Sequence, residues 1–406
     1  MMKDLTKEQQ TLLLLLRRSL WGENVILPEG IDWTKVDTMA QEQGVTAFVY
    51  DGVRDLHTDV PGEILQKWLR KLLAGVSRNE MLMRAQDEIV RWFAEADIPA
   101  VILKGSSVSR YYPQPDLRAL GDIDILVEKS ACEKAQKILE EQGYTFLDTD
   151  HQFHLEFSRR GVHVELHYNV TKLPSNQGGQ MARKVMENFG ENIGQGCIGN
   201  YVFPVLSEER QAMSLAMHMI RHMFGSGIGL RQMLDWATYI AKVDGRVFAD
   251  VTMPLLEQCG LLQYAKIATM TCVRYLGLPT EYLDWCSEVR EEECRMFINS
   301  VFFGGNMGSS DKDKVRNFFI DHNDLGHSQS PMKVLLDRLN RSSYYHFPFT
   351  KKFQILLPFF WLYLPLRYFV RALFGQRTMY SITDVMSATK PQRILYEMTK
   401  PFESGK

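Results

Sequence analysis

Residues 121–126 read GDIDIL, two aspartates one residue apart inside an apolar run. Successive side chains of a strand point to opposite faces. Ile123, Ile125 and Val127 therefore line one side, while Asp122, Asp124 and Glu128 line the other. The first face needs a core to pack on, and the second needs water, cations or basic partners to neutralise it. What surrounds this strand decides between those partners.

Upstream, PAVILKG (99–105) is a short, partly β-branched apolar run ending in glycine, which predicts a buried strand entering a tight turn. Ser106 and Ser107 can cap a helix over SVSRYY, and Pro113 and Pro115 end it. Downstream, Ser130 is placed to cap a helix through Glu141, with Ala135, Ile138 and Leu139 as apolar positions and Gly143 as its stop. YTFLD (144–148) predicts a strand. HQFHLEFSRRGVHVELHYNV (151–170) predicts a hairpin across Arg159, Arg160 and Gly161. Val162, Val164 and Leu166 then share one face, and His163, Glu165 and His167 the other, so a third carboxylate emerges on a polar strand face.

The rest has helical texture. Apolar residues recur at three and four residue spacings from Thr6 to about Leu20 and over 62–96. SEERQAMSLAMHMIRHMF (207–224) opens with a serine cap and acidic first turn, GSGIGL breaks it, and LRQMLDWATYIAK resumes. Helices continue to about 305, where FFGGNMGSSDKDK (302–314) predicts a loop. The expected fold class is α+β, a small mixed β-sheet core with predominantly helical N- and C-terminal flanks. The expected divisions are 1–95 (helical), 96–206 (core), 207–305 (helical) and 306–406, the last carrying a hydrophobic segment at 353–374.

At 406 residues, 45% hydrophobic and 24% charged, the chain has the composition of a folded protein of two or three subdomains. A formal charge of −2 supplies no global field for nucleic acid, so binding it would need a local basic patch. Six scattered cysteines without a CxxC pair argue against a zinc ribbon or disulfide framework and suit a reducing compartment. The N-terminus has an early acidic residue, a short leucine run and no small-residue cleavage site, so it predicts an amphipathic helix and a cytoplasmic protein.

The chemistry follows from residue types and order. Asp122 and Asp124, on one strand face, can jointly hold Mg2+ or Mn2+, which favour hard oxygen ligands. Gly105 ahead of a helix start permits close backbone approach to a phosphate. If the strand of Glu165 neighbours that of Asp122, three carboxylates complete a site for in-line nucleotidyl transfer with two ions about 3.5–4 Å apart.

The series LKGSS, DIDIL, VELH resembles the GS…DxD…[DE] pattern of the DNA polymerase β-like nucleotidyltransferase superfamily. The phrase running from LKG through YYPQPDLRALGDIDILV is similar to a bacterial family of uncharacterised nucleotidyltransferases, in which a lysine precedes the glycine and an arginine the DxD. The resemblance spans residues 97–170, with an echo at HMIRH and LRQMLDWA. It implies transfer of a nucleoside monophosphate from an NTP to a hydroxyl-type acceptor: a sugar, a small metabolite, a tRNA end or a protein side chain. By that resemblance Gly105 and Ser106 hold the triphosphate, Lys104 and Arg118 contact phosphate or acceptor, and Asp122, Asp124 and Glu165 bind the metals. Glu165, where relatives often have aspartate, also helps activate the acceptor hydroxyl.

Other readings stand beside these. The aspartates suit a solvated edge strand, Glu165 a salt bridge to Arg159 or Arg160, and Ser106 a plain helix cap. His163 and His167 flank Glu165 as candidate zinc ligands, and His218 and His222 are an i, i+4 pair that could hold a metal or pack against Asp235 or Arg231. In 351–377 the uncharged core Phe353–Leu366 is too short to span a bilayer and is interrupted by Pro358 and Pro365. Its aromatics beside Lys351, Lys352, Arg367 and Arg371 suit a peripheral membrane contact, a buried helix or an oligomer contact. At the level of function the alternatives are an inactive nucleotidyltransferase-fold interaction protein, a toxin-like transferase acting on tRNA or protein, and a membrane-face transferase in surface-polysaccharide synthesis.

Overall fold

A computed structural model describes residues 4–147, 153–279, 283–304, 317, 320, 325, 330–373 and 382–403. Four helices come first: α1 (Lys7–Trp21), α2 (Trp33–Glu42), α3 (Thr46–Val53) and the 34-residue α4 (Gly62–Glu95). The strands are β1 (Ala100–Ile102), β2 (Ile123–Val127), β3 (Thr145–Leu147), β4 (His154–Arg159), β5 (Val162–His167), β6 (Ile193–Ile198) and β7 (Tyr201–Leu206). Between them lie α5 (Ser106–Ser109), α6 (Cys132–Glu141) and α7 (Gln177–Met186), and after them α8 (Glu208–Phe224) and α9 (Leu230–Lys242). Further helices span Leu262–Leu276, Glu291–Gly304, Pro331–His346, Leu357–Leu373 and Ile382–Thr399. The fold is α+β, as expected. The loop expected over 302–314 lies from 305 onward outside the described residues.

The strands form one mixed sheet in the order β3-β4-β5-β2-β1-β7-β6. β2 is its central strand, parallel to β5 and antiparallel to β1, so the solvated-edge reading of GDIDIL is overturned. The hairpin forms as expected: Arg160 and Gly161, both at positive φ (50° and 82°), make the two-residue turn between β4 and β5.

Each sheet face packs on its own core. Ile123, Ile125, Val127, Val164 and Leu166 bury against Ile89 and Phe93 of α4 and Ala135 and Leu139 of α6. Val101, Leu103, Leu126 and Leu206, on the other face, join a continuous core that includes α1–α3, α8 and α9. The carboxylates emerge on this second face, where the sheet meets α8 and α9.

Two expected capping bonds do not form. Ser130 sits in a short 3-10 turn, Lys129–Ala131, with Ala131 at the helix boundary. Ser207 holds the N-cap position of α8 as expected, but its hydroxyl donates to Glu209 rather than accepting from the helix backbone.

Candidate active site

The loop leading into β2 is fastened to α4. Buried Asn79 accepts from Leu120 N (2.8 Å) and donates to the carbonyls of Arg118 (3.0 Å) and Asp116 (3.2 Å). Arg78 donates to the Gly121 carbonyl at 2.6 Å. A buried side-chain amide that satisfies three backbone groups fixes a loop, because each group would otherwise be stranded away from water. Asp122 and Asp124 thus leave a rigid platform.

Register brings the third carboxylate in. Parallel pairing of β2 with β5 sets Asp124 opposite Glu165 and Leu126 opposite His167. The neighbouring hairpin pairing sets His154 opposite His167. Asp122, two residues before Asp124, shares its face.

Two basic side chains already serve these acids. Lys104 Nζ lies 2.8 Å from Asp124 Oδ1, and His167 Nε2 lies 3.0 Å from both Asp124 Oδ1 and Glu165 Oε2. His154 Nδ1 is 3.6 Å from Glu165 Oε2. Burial penalises the Asp124 anion, but Lys104 and His167 outweigh it and hold its carboxyl well below the usual range. Burial likewise disfavours charged Lys104 and His167, yet Asp124 and Glu165 raise both. Asp122 differs. It is half-buried with no hydrogen bond from any described residue, and burial, then Asp124 and Glu165, push its carboxyl up to about 6.

Lys104 is followed by Gly105 at φ 60°, a conformation that L side chains rarely adopt, so a substitution there is strained although a Cβ would meet only ordinary contacts. α5 is a single turn in which Ser106 makes no capping bond; its hydroxyl donates to Gln86 of α4 at 2.5 Å. The cap reading of Ser106 is therefore corrected, and its hydroxyl is turned to α4.

Arg118 is buried and bidentate on Asp235 of α9, at 2.7 and 2.8 Å, and Tyr112 donates to the same carboxylate at 2.7 Å. Its neighbour Arg231 has a buried Nε without a partner, and feels Asp122 and Asp235 among its closest charges. Burial, then Arg118, lowers its affinity for the proton.

His218 and His222 meet edge to face, with ring centroids 4.4 Å apart and planes at 66°. Burial holds His218 far below, and His222 at about 4, so both are neutral near pH 7; Lys104 adds to each effect. His222 Nδ1 is 3.2 Å from the Gly227 carbonyl oxygen and 3.0 Å from Ser226 Oγ, so the 225–229 loop is its hydrogen-bonding partner. Arg159 pairs with Glu88 at 2.6 Å, leaving Glu165 to the histidines. His163 is exposed, and the imidazole that joins His167 and Glu165 is His154, all ligand atoms lying within 4.8 Å of one another.

His154 and Arg231 were not singled out as site residues by sequence. His154 was within reach, since folding HQFHLEFSRRGVHVELH about Arg160 and Gly161 places it opposite His167. Nothing local marks Arg231, which reaches the site only through packing of α9.

The family model described as uncharacterised nucleotidyltransferase matches residues 29–277, more than half of the chain. Among curated proteins the chain finds no match.

Proposed function

Because the chain belongs to the uncharacterised nucleotidyltransferase family, we propose that it is a metal-dependent enzyme moving a nucleoside monophosphate from an NTP to a hydroxyl-bearing acceptor. The carrying observation is the parallel pairing that sets Asp124 beside Glu165, with Asp122 on the same face.

A divalent ion suits this donor set. Asp122 makes no hydrogen bond to a basic group among the described residues, and burial, then Asp124 and Glu165, raise its proton affinity more than Lys104 and Arg231 lower it. Asp122, Asp124 and Glu165 would hold Mg2+ or Mn2+, which when bound supplies charge stabilisation to the α-phosphate and the leaving pyrophosphate. The chain's own residues do the rest. Lys104 and the partnerless Arg231 guanidinium bind triphosphate oxygens, Arg231 being available where Arg118 is committed to Asp235. Arg118 positions α9 instead. Gly105 lets the backbone approach the phosphates. The acceptor oxygen bonds to the α-phosphorus as the bond to pyrophosphate breaks, pyrophosphate leaves with the electron pair, and Glu165, partly exposed beside His167, takes the hydroxyl proton.

The test is thermal shift of the wild type and Asp122→Asn with each NTP, with and without Mg2+ or Mn2+, alongside a pyrophosphate-release assay. A metal-dependent rise in the wild type alone supports the assignment. An equal rise in both proteins, or none with any nucleotide, rejects it. Binding without pyrophosphate release, once acceptors of each class have been supplied, identifies an inactive binding protein instead.

A further inference from the structure

The C-terminal region exposes an apolar helix face. Within a short 3-10 turn and the helix that follows, Ile355 is 88% exposed, Phe359 63%, Leu362 77% and Leu366 61%. Their spacings of four, three and four residues put them on one stripe. The opposite side is anchored. Leu357 and Phe360 are buried, the Phe347 and Phe360 rings lie 4.4 Å apart, and Trp361 Nε1 donates to Asn340 of the Pro331–His346 helix at 2.9 Å. The exposed side is thus held in place by the fold. This overturns the buried-helix reading of the segment. Continuous apolar patches of this kind mark interaction surfaces.

Charge selects the occupant. Beside the stripe stand the exposed Lys351 and Lys352 and the half-buried Arg367, and the sequence of residues 351–373 holds no aspartate or glutamate. A second copy meeting this face across a two-fold axis would bring like charges together. A layer of anionic headgroups would neutralise them while accepting the aromatic and aliphatic side chains below. No described helix is long and apolar enough to cross a membrane, and an exposed apolar stripe along one side of an otherwise anchored helix is the geometry of a helix lying in the interface. We propose that Lys351–Leu373 docks the protein on anionic phospholipid surfaces, with Ile355, Phe359, Leu362 and Leu366 inserted and Lys351 and Lys352 on the headgroups. This stands apart from the reaction proposed above, and its test does not depend on turnover.

The experiment is vesicle flotation of the full chain with neutral phosphatidylcholine and with phosphatidylglycerol-rich vesicles, at low and high salt. Wild type, Leu362→Glu and the double variant Lys351→Gln/Lys352→Gln are compared, and light scattering gives their oligomeric state. These side chains are exposed, so a thermal melt should show the variants folded. The expected result is salt-sensitive binding to anionic vesicles, weakened roughly thirtyfold by the double variant at about 1 kcal/mol per lysine and lost in Leu362→Glu. No flotation with anionic vesicles overturns the proposal, as does binding that neither variant reduces. A dimer that Leu362→Glu dissolves, without flotation, would name a second copy as the occupant.

Discussion

Asp122 and Asp124 should respond to the same substitution with opposite signs. Asp124 is buried and serves Lys104 at 2.8 Å and His167 at 3.0 Å, so Asp124→Asn strands the Lys104 ammonium and takes a partner from His167. Removing one partner of a buried pair costs ~3–5 kcal/mol, and the amide's remaining oxygen brings that to ~2–4. Asp122 has no such partner, and its carboxyl rises from an ordinary 3.8 to about 6. At about 1.4 kcal/mol for each tenfold change in proton affinity, holding it ionised costs the fold at most ~3 kcal/mol; the neighbouring carboxylates share this, leaving ~1–3. Because the folded value is raised, the stability it contributes is intact below about pH 4 and is lost as pH rises through about 6. Asp122→Asn should therefore stabilise the metal-free protein by ~1–3 kcal/mol at pH 7.5 and have almost no effect near pH 4. Urea titration in EDTA at both pH values measures this. A loss of stability in Asp122→Asn comparable to that in Asp124→Asn, or a gain independent of pH, would refute the charge assignment. Adding Mn2+ should then stabilise the wild type and leave Asp122→Asn almost unmoved.

Other sites give sharper single outcomes. Asp235→Ala leaves the buried Arg118 guanidinium unpaired and should cost ~3–5 kcal/mol in urea unfolding, whereas Arg118→Met with Asp235→Leu should recover much of it. Arg231→Gln should shift stability by less than ~1 kcal/mol yet raise the NTP concentration needed for half-maximal thermal shift about tenfold. At Gly52 an added Cβ would sit 2.2 Å from the Leu15 carbonyl oxygen, so Gly52→Ala should push α1 off α3 and lower stability by ~1–3 kcal/mol or more. His154→Ala should weaken Mn2+ binding about tenfold and Mg2+ binding little, because imidazole nitrogen favours the former; calorimetric titration with each ion separates them.

The strand content was legible because the sheet's residues carry a two-residue alternation that needs no tertiary information: Ile123, Ile125, Val127 and Val162, Val164, Leu166 face one core as read. The hairpin register was legible too, since Arg160-Gly161 fixes the turn. Caps failed where hydroxyls had competing acceptors, Gln86 for Ser106 and Glu209 for Ser207. The identity of the cations around the carboxylates was only half readable. Lys104 is one residue from the glycine turn and travels with it, but Arg231 comes from a helix more than a hundred residues later in the chain, whose placement depends on packing alone.

Positive charge in the site is unevenly spread. Lys104 and His167 both converge on one oxygen of Asp124, while Asp122 has neither and Arg231 keeps an unpartnered Nε nearby. An incoming metal–triphosphate offers both missing groups at once, a cation for Asp122 and anionic oxygens for Arg231, and also gives Lys104 somewhere to go when it leaves Asp124. Metal without nucleotide must compete with the Lys104 ammonium for the same carboxylate oxygen, and nucleotide without metal meets three acids. The two ligands should therefore bind with positive coupling, each tightening the other by the same factor, because that reciprocity follows from linkage whatever the acceptor is.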